Sequence, residues 1–217
     1  MDDFQKLLGI DGPTLLKLIR SNPSVCGNII GYAGEDRLRV AFDADPRFTV
    51  LGKADDHDRK HKGDLYVRYR DRVFLVESKG VQTSSIRRSA DGAVKAFAQC
   101  DGSDASSRVK LKGGKMGKTV LLRVGGFDLL AIPLFVVTGK WEFAYMLNRD
   151  LPRTTSMKYA KSEREKLIKS MVGFSVPITP PMTLDPGEAL DRLFADDLFG
   201  TSYPRTLPER FSSDPAS

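Results

Sequence analysis

Cysteine is scarce in this 217-residue chain: Cys26 and Cys100 are the two it has. They lie far apart without a CxxC spacing, which excludes a disulfide framework and a cysteine-based zinc site, so both are expected as reduced thiols in a cytoplasmic protein. Cys100 has no histidine nearby in sequence to activate it, and a core position is its natural reading. Histidine is as rare, with only His57 and His61. Their four-residue spacing would suit a metal on a helix, but ADDHDRKHKG carries no helix signal, so contact with a polyanion is the reading kept for them. No apolar run reaches the roughly 18 residues of a membrane helix. The longest, FDLLAIPLFVVTG, is interrupted by Pro133, and MDDFQKLLG lacks the basic-then-apolar order of a signal peptide. Acidic residues are missing altogether between Ala105 and Phe127, where Arg108, Lys110, Lys112, Lys115, Lys118 and Arg123 accumulate. With a formal charge of +6, that stripe suits a phosphate backbone if a phosphate-directed site lies elsewhere in the chain.

What is present is an alternation of helical and β signals. Two short helices are expected within residues 2–20, divided by Asp11-Gly12-Pro13. Asn22-Pro23 then reads as a cap and first turn for a helix over about 23–43. On it Glu35, Leu38 and Phe42 share a face. RFTVL (47–51) is β-rich; Leu65–Arg70 and Val73–Lys79 form a hairpin about a tight Asp71-Arg72 turn. Residues 86–100 are expected to be helical after Gly92. Val109–Lys112 and Thr119–Val124 form a second hairpin around GGKMG. FDLLAIPLFVVT is a buried strand, or two in series. Helices are expected over about 161–172 and 186–199. The mixture predicts an α/β (α+β) fold, a central mixed β-sheet flanked by helices. Its parts are an N-terminal helical segment (1–22), a main domain (23–175) and a proline-rich C-terminal extension (176–217).

The hairpin KGDLYVRYRDRVFLVESKG (62–80) holds the chemistry. Both faces of its second strand are apolar until the end, so the strand is expected to be central and covered on both sides. Glu77 and Lys79 then point the same way from its tip. Symmetry about the turn places Asp64 opposite residues 77–79, near Lys79. Two carboxylates and an ammonium on one spot lose hydration and need a partner. A hard divalent cation meets that need, with Asp64 and Glu77 as oxygen ligands and a substrate phosphate beside it. Lys79 is assigned to positioning and charge offset, because the carboxylates oppose the lowered pKa a base would need.

These residues resemble the PD-(D/E)xK nuclease superfamily, which includes most type II restriction endonucleases. The likeness covers roughly residues 23–100 and implies a restriction-endonuclease-like αβββα core. It also implies metal ligation by Asp64, Glu77 and the Ser78 carbonyl, catalysis by Lys79 and an accessory acid in Glu35. Gly63 stands where the motif has proline. The implied activity is Mg²⁺-dependent DNA cleavage, with Mn²⁺ as a substitute, on double-stranded DNA by a homodimer. Gln82, Arg87, Arg88, Lys110, Lys112, Lys115 and Lys118 are the expected DNA contacts. Two other readings remain open: a structure-selective or repair nuclease on the same core, and an inactive DNA-binding protein. GGKMGKT looks like a phosphate loop but has only three residues between Gly113 and Gly117, so a glycine turn is preferred.

Overall fold

Local capping sets the beginning of the fold. In this computed structural model, which describes residues 3–53, 64–102 and 107–197, helices α1 (Asp3–Leu8) and α2 (Gly12–Ser21) flank the expected break. Asp11 accepts the Thr14 N–H at 2.8 Å, satisfying a donor that the first helical turn leaves without a partner. Asn22 does the same for Val25 at the start of α3 (Pro23–Asp43). Leu38 and Phe42, one turn apart, are 0% and 1% exposed, so the second half of α3 docks on the body. Its first half keeps Val25, Ile29 and Tyr32 exposed.

Strands β1 (Phe48–Gly52), β2 (Leu65–Tyr69) and β3 (Arg72–Ser78) follow as an antiparallel meander. Next come β4 (Arg87–Arg88), β5 (Val94–Gln99), β6 (Ser107–Lys110) and β7 (Met116–Thr119). The chain then returns to the main sheet as β8 (Leu129–Pro133), turns through α4 (Phe135–Thr138), and adds β9 (Phe143–Leu147). One-turn helix α5 (Lys161–Arg164), strand β10 (Met171–Val176) and helix α6 (Pro186–Asp197) complete the described part.

The main sheet has five strands in the order β1-β2-β3-β8-β9. Only β3 and β8 run parallel, so the sheet is mixed, as expected. β3 is central and covered on both faces. Phe74 and Val76 join Leu38 and Phe42 of α3 and Ala189 and Leu190 of α6 in one core cluster. Leu75, with Tyr66 of β2, joins Leu130, Ile132 and the inner face of a second sheet, ordered β10-β5-β4. Asp128 ties β8 to β3 through its Oδ2, which accepts the Leu75 N–H at 2.7 Å.

Several boundaries differ from the expectation. Residues 87–88 and 94–99 are strands, not a helix. Alanine favours helix in isolation, but Val94, Ala96 and Ala98 alternate with outward residues, and pairing with β10 exploits that period of two. The expected helix over 161–172 stops after one turn, because Leu167 and Ile168 leave it to form bridges with Arg123 and Arg153 and to fill the core. The second hairpin lies further upstream, at 107–110 and 116–119. Its turn uses Gly113 at φ 89° and Gly114 at φ 88°, where a side chain would be strained. That geometry is a hairpin turn, not a phosphate loop.

Candidate active site

The tight turn of the first hairpin decides which acids meet. Tyr69 pairs with Arg72 and Leu65 with Val76, so the turn residues are Arg70 and Asp71 rather than Asp71 and Arg72. Arg70 takes the left-handed region at φ 55°, a conformation that neither glycine nor asparagine signals in this sequence. The slip of one residue moves Asp64 from opposite Lys79 to opposite Glu77, one step beyond the last ladder pair. Residues directly opposed in an antiparallel pair project from the same face. Asp64 and Glu77 therefore share the face of Tyr66 and Leu75, toward the second sheet.

Hydrogen bonds and charge hold the cluster. Asp64 Oδ2 accepts the Ser78 N–H at 2.7 Å. Lys79 Nζ sits 2.8 Å from Glu77 Oε1, with the two side chains only 18% and 13% exposed. From α3, Glu35 bonds Lys53 Nζ at 2.9 Å and lies near enough to act on Asp64. Burial, and then the charges of Glu77 and Glu35, push the Asp64 carboxyl up to about 7 from its ordinary value of 3.8. Burial works against the Lys79 ammonium, yet the neighbouring Glu77 and Asp64 outweigh it and raise its pKa. Lys79 is thus a fixed cation at neutral pH and no general base.

Among the described residues the cluster sets three carboxylates against two ammonium groups, and burial, with the charges of Glu77 and Glu35 after it, raises Asp64. Among the described residues no three histidine, cysteine or acidic side chains gather as a ready cation nest. The donors at the strand ends are the carboxylates of Asp64 and Glu77, to which the resemblance would add the Ser78 carbonyl. That set fits Mg²⁺, which binds through one or two carboxylates and keeps several waters. It does not fit the richer protein cage that Ca²⁺ prefers.

The other expected residues are dispersed. Gln82, three residues past Lys79, pairs by its N–H with the Phe97 carbonyl at 2.9 Å. Arg87 is exposed, with Nη1 on the carbonyls of Ser84 and Ile86. Arg88 is partly structural, donating to the Val137 carbonyl at 3.0 Å. Lys110 and Lys118 lie on one face of the β6–β7 hairpin with Arg108, and Lys112 and Lys115 in its turn. Arg123 donates to the Arg108 carbonyl at 2.7 Å. His57, His61 and Gly63 lie outside the described residues.

Sequence reasoning missed Lys53, which neutralises Glu35; nothing in its local pattern marks it, because the two meet only when β1 packs on α3. It also missed how close Cys100 lies to the cluster. This cysteine is fully buried, and burial pushes its thiol up to about 12, so it is no nucleophile. Comparisons of the chain with protein-family models, curated proteins and solved structures find no match. No helix among the described residues is long and apolar enough to cross a membrane.

Proposed function

We propose that this chain is a Mg²⁺-dependent DNA endonuclease resembling the type II restriction enzymes of the PD-(D/E)xK superfamily, with Mn²⁺ as a substitute ion. The observation that carries the reading is the opposition of Asp64 and Glu77 at adjoining strand ends, with Lys79 on Glu77 and Asp64 buried beside the charges of Glu77 and Glu35. The order α3-β1-β2-β3 follows the αβββα core of that superfamily, while β5 stands where its last helix would be.

When bound, the metal supplies Lewis-acid stabilisation of charge building on the phosphate. Asp64 and Glu77 would hold it, aided by the Ser78 carbonyl. Lys79, kept charged by its acidic neighbours, orients a phosphate oxygen and offsets negative charge in the transition state. Glu35 and its partner Lys53 keep the rim of the site neutral. The exposed Arg108, Lys110 and Lys118 draw the duplex in by its backbone, without reading bases. Two copies acting together as a homodimer would cut both strands.

Plasmid DNA in Mg²⁺ tests this directly. The native chain should nick or linearise it, and Asp64→Ala and Glu77→Ala should cut on the order of a thousandfold more slowly while still retaining DNA on a gel. Full activity in both variants would remove the assignment, and binding without any cleavage by the native chain would leave a DNA-binding protein.

A further inference from the structure

The second sheet turns one face to the core and the other to solvent. On β5, Val94, Ala96 and Ala98 are buried, and Lys95, Phe97 and Gln99 are exposed. Phe97 is the anomaly: a whole aromatic ring, 41% exposed, on the outer row. Its partner in register is Gly173 of β10, where a Cβ would come within 3.2 Å of Phe97 Cε1. Glycine there lets the ring edge lie over the neighbouring strand and leaves the space outside it open. The adjacent row opposes Arg87, Lys95 and Ser175, which gathers two cations and a hydroxyl. Arg87 is braced on two backbone carbonyls at 2.9 Å each. Asp91, in the turn before β5, accepts from the Ser89 hydroxyl and the Ala93 N–H and lies near enough to act on Lys95. Between these rows and residues 179–182 lies a cavity of about 540 Å³, walled mainly by Phe97, Met146, Phe174, Pro180, Pro181 and Met182.

We propose that this cavity receives one unpaired nucleobase of the DNA substrate, stacked on Phe97, with its phosphate between Arg87 and Lys95. The identity of the polymer rests on the nuclease reading above. The pairing of a ring platform with two cations is what selects a nucleotide. A neutral apolar molecule would leave the cations unused, and a fully paired duplex would leave the ring unused. The segment after Lys79 leads to this sheet: the Gln82 N–H donates to the Phe97 carbonyl at 2.9 Å, with the Phe97 ring on the outer face of the sheet and the strand-end cluster toward its inner face. The enzyme is then selective for DNA carrying an unpaired base, since a bulged base has already left the stack whereas an intact duplex must first unstack and unpair one.

Fluorescence anisotropy on the full chain in EDTA reads this without cleavage. Three labelled DNAs serve as probes: a duplex with a one-base bulge, the same duplex with an abasic bulge, and a fully paired duplex. The native chain should bind the base-bearing bulge about tenfold more tightly than either control. That preference should fall close to one in Phe97→Ala, and in Gly173→Val, which drives the ring from its seat. Phe97→Leu stays apolar while removing the aromatic ring, which guards against a folding defect, and it should lose the preference too. An abasic bulge bound as tightly as the intact one, or a preference unchanged in Phe97→Ala, overturns the pocket. Plasmid cleavage by the native chain, abolished in Asp64→Ala, is read separately. Cleavage without bulge preference sinks the pocket and spares the nuclease; bulge preference without cleavage does the reverse.

Discussion

The strand-end cluster and the β6–β7 hairpin handle charge in opposite ways. At the end of β3, Glu77 and Lys79 are almost buried and in direct contact, and Asp64 beside them holds its proton up to about pH 7. On the hairpin, Arg108 and Lys118 face each other as like charges on an exposed face with no acid between them. Beneath it Val109 and Thr119 are buried against Tyr159 and Leu167, so the fold of the hairpin needs nothing from its lysines. Buried charge must be paired because desolvation is expensive, whereas exposed charge is screened and can be spared for a partner. On the proposed function, the contrast separates a place built for chemistry from a surface spared for a polyanion.

Breaking the buried side should have the largest effect. Lys79→Met is expected to slow cleavage by roughly a hundredfold or more. It should also destabilise the protein by about 3 kcal/mol, since it strands Glu77 without its cation. Thermal unfolding of the double variant Lys79→Met/Glu77→Gln should recover much of that loss. A single variant as stable as the native chain would mean that the 2.8 Å pair is not a buried pair in solution.

Next comes the exposed side. Replacing Lys110, Lys112 and Lys118 together by glutamine should weaken duplex binding about tenfold near physiological salt. The slope of log affinity against log salt should fall by roughly 0.9 for each phosphate that is no longer neutralised. The melting temperature should stay put, because the buried underside is untouched. An unchanged slope would move the DNA surface elsewhere.

The pH dependence of Asp64 is a smaller effect. Its folded pKa lies above its ordinary value, so the folded state is favoured at pH below about 4, and that advantage is lost as pH rises through about 7. Asp64→Asn should therefore melt a few degrees higher than the native chain at pH 8 without metal, and show no such gain at pH 4. Mg²⁺ at pH 8 should raise the melting temperature of the native chain and leave that of the variant. Equal shifts in both would exclude Asp64 as a ligand.

The smallest expected change is at the rim. Glu35 and Lys53 are 27% and 38% exposed, so Lys53→Ala should alter stability by less than about 1 kcal/mol. A larger loss, read by denaturant unfolding, would place the pair inside the buried cluster.

Much of the site was legible because its chemistry is written in strand periodicity. Glu77 and Lys79 share a face by alternation, and the apolar run between Arg72 and Glu77 announces a strand covered on both sides. The facing of Asp64 was legible only to within two residues, since the register turns on Arg70 adopting φ 55° without a glycine to advertise it. The helix expected over 86–100 failed for a related reason. Val94-Lys95-Ala96-Phe97-Ala98-Gln99 satisfies a helix by composition and a strand by period, and only the presence of β10 alongside chose between them. Lys53 and Cys100 were invisible as neighbours of the site, because contacts between remote segments leave no local trace.

By itself the sequence determined the caps of α2 and α3, the apolar faces that make β3 central, and the residue types at the strand ends, all of which depend on near neighbours in the chain. Tertiary structure alone decided that Asp64 faces Glu77, that Glu35 is matched by Lys53, and that Phe97 lies bare beside two cations. Those outcomes come from packing between distant segments, where burial and pairing outweigh local preference.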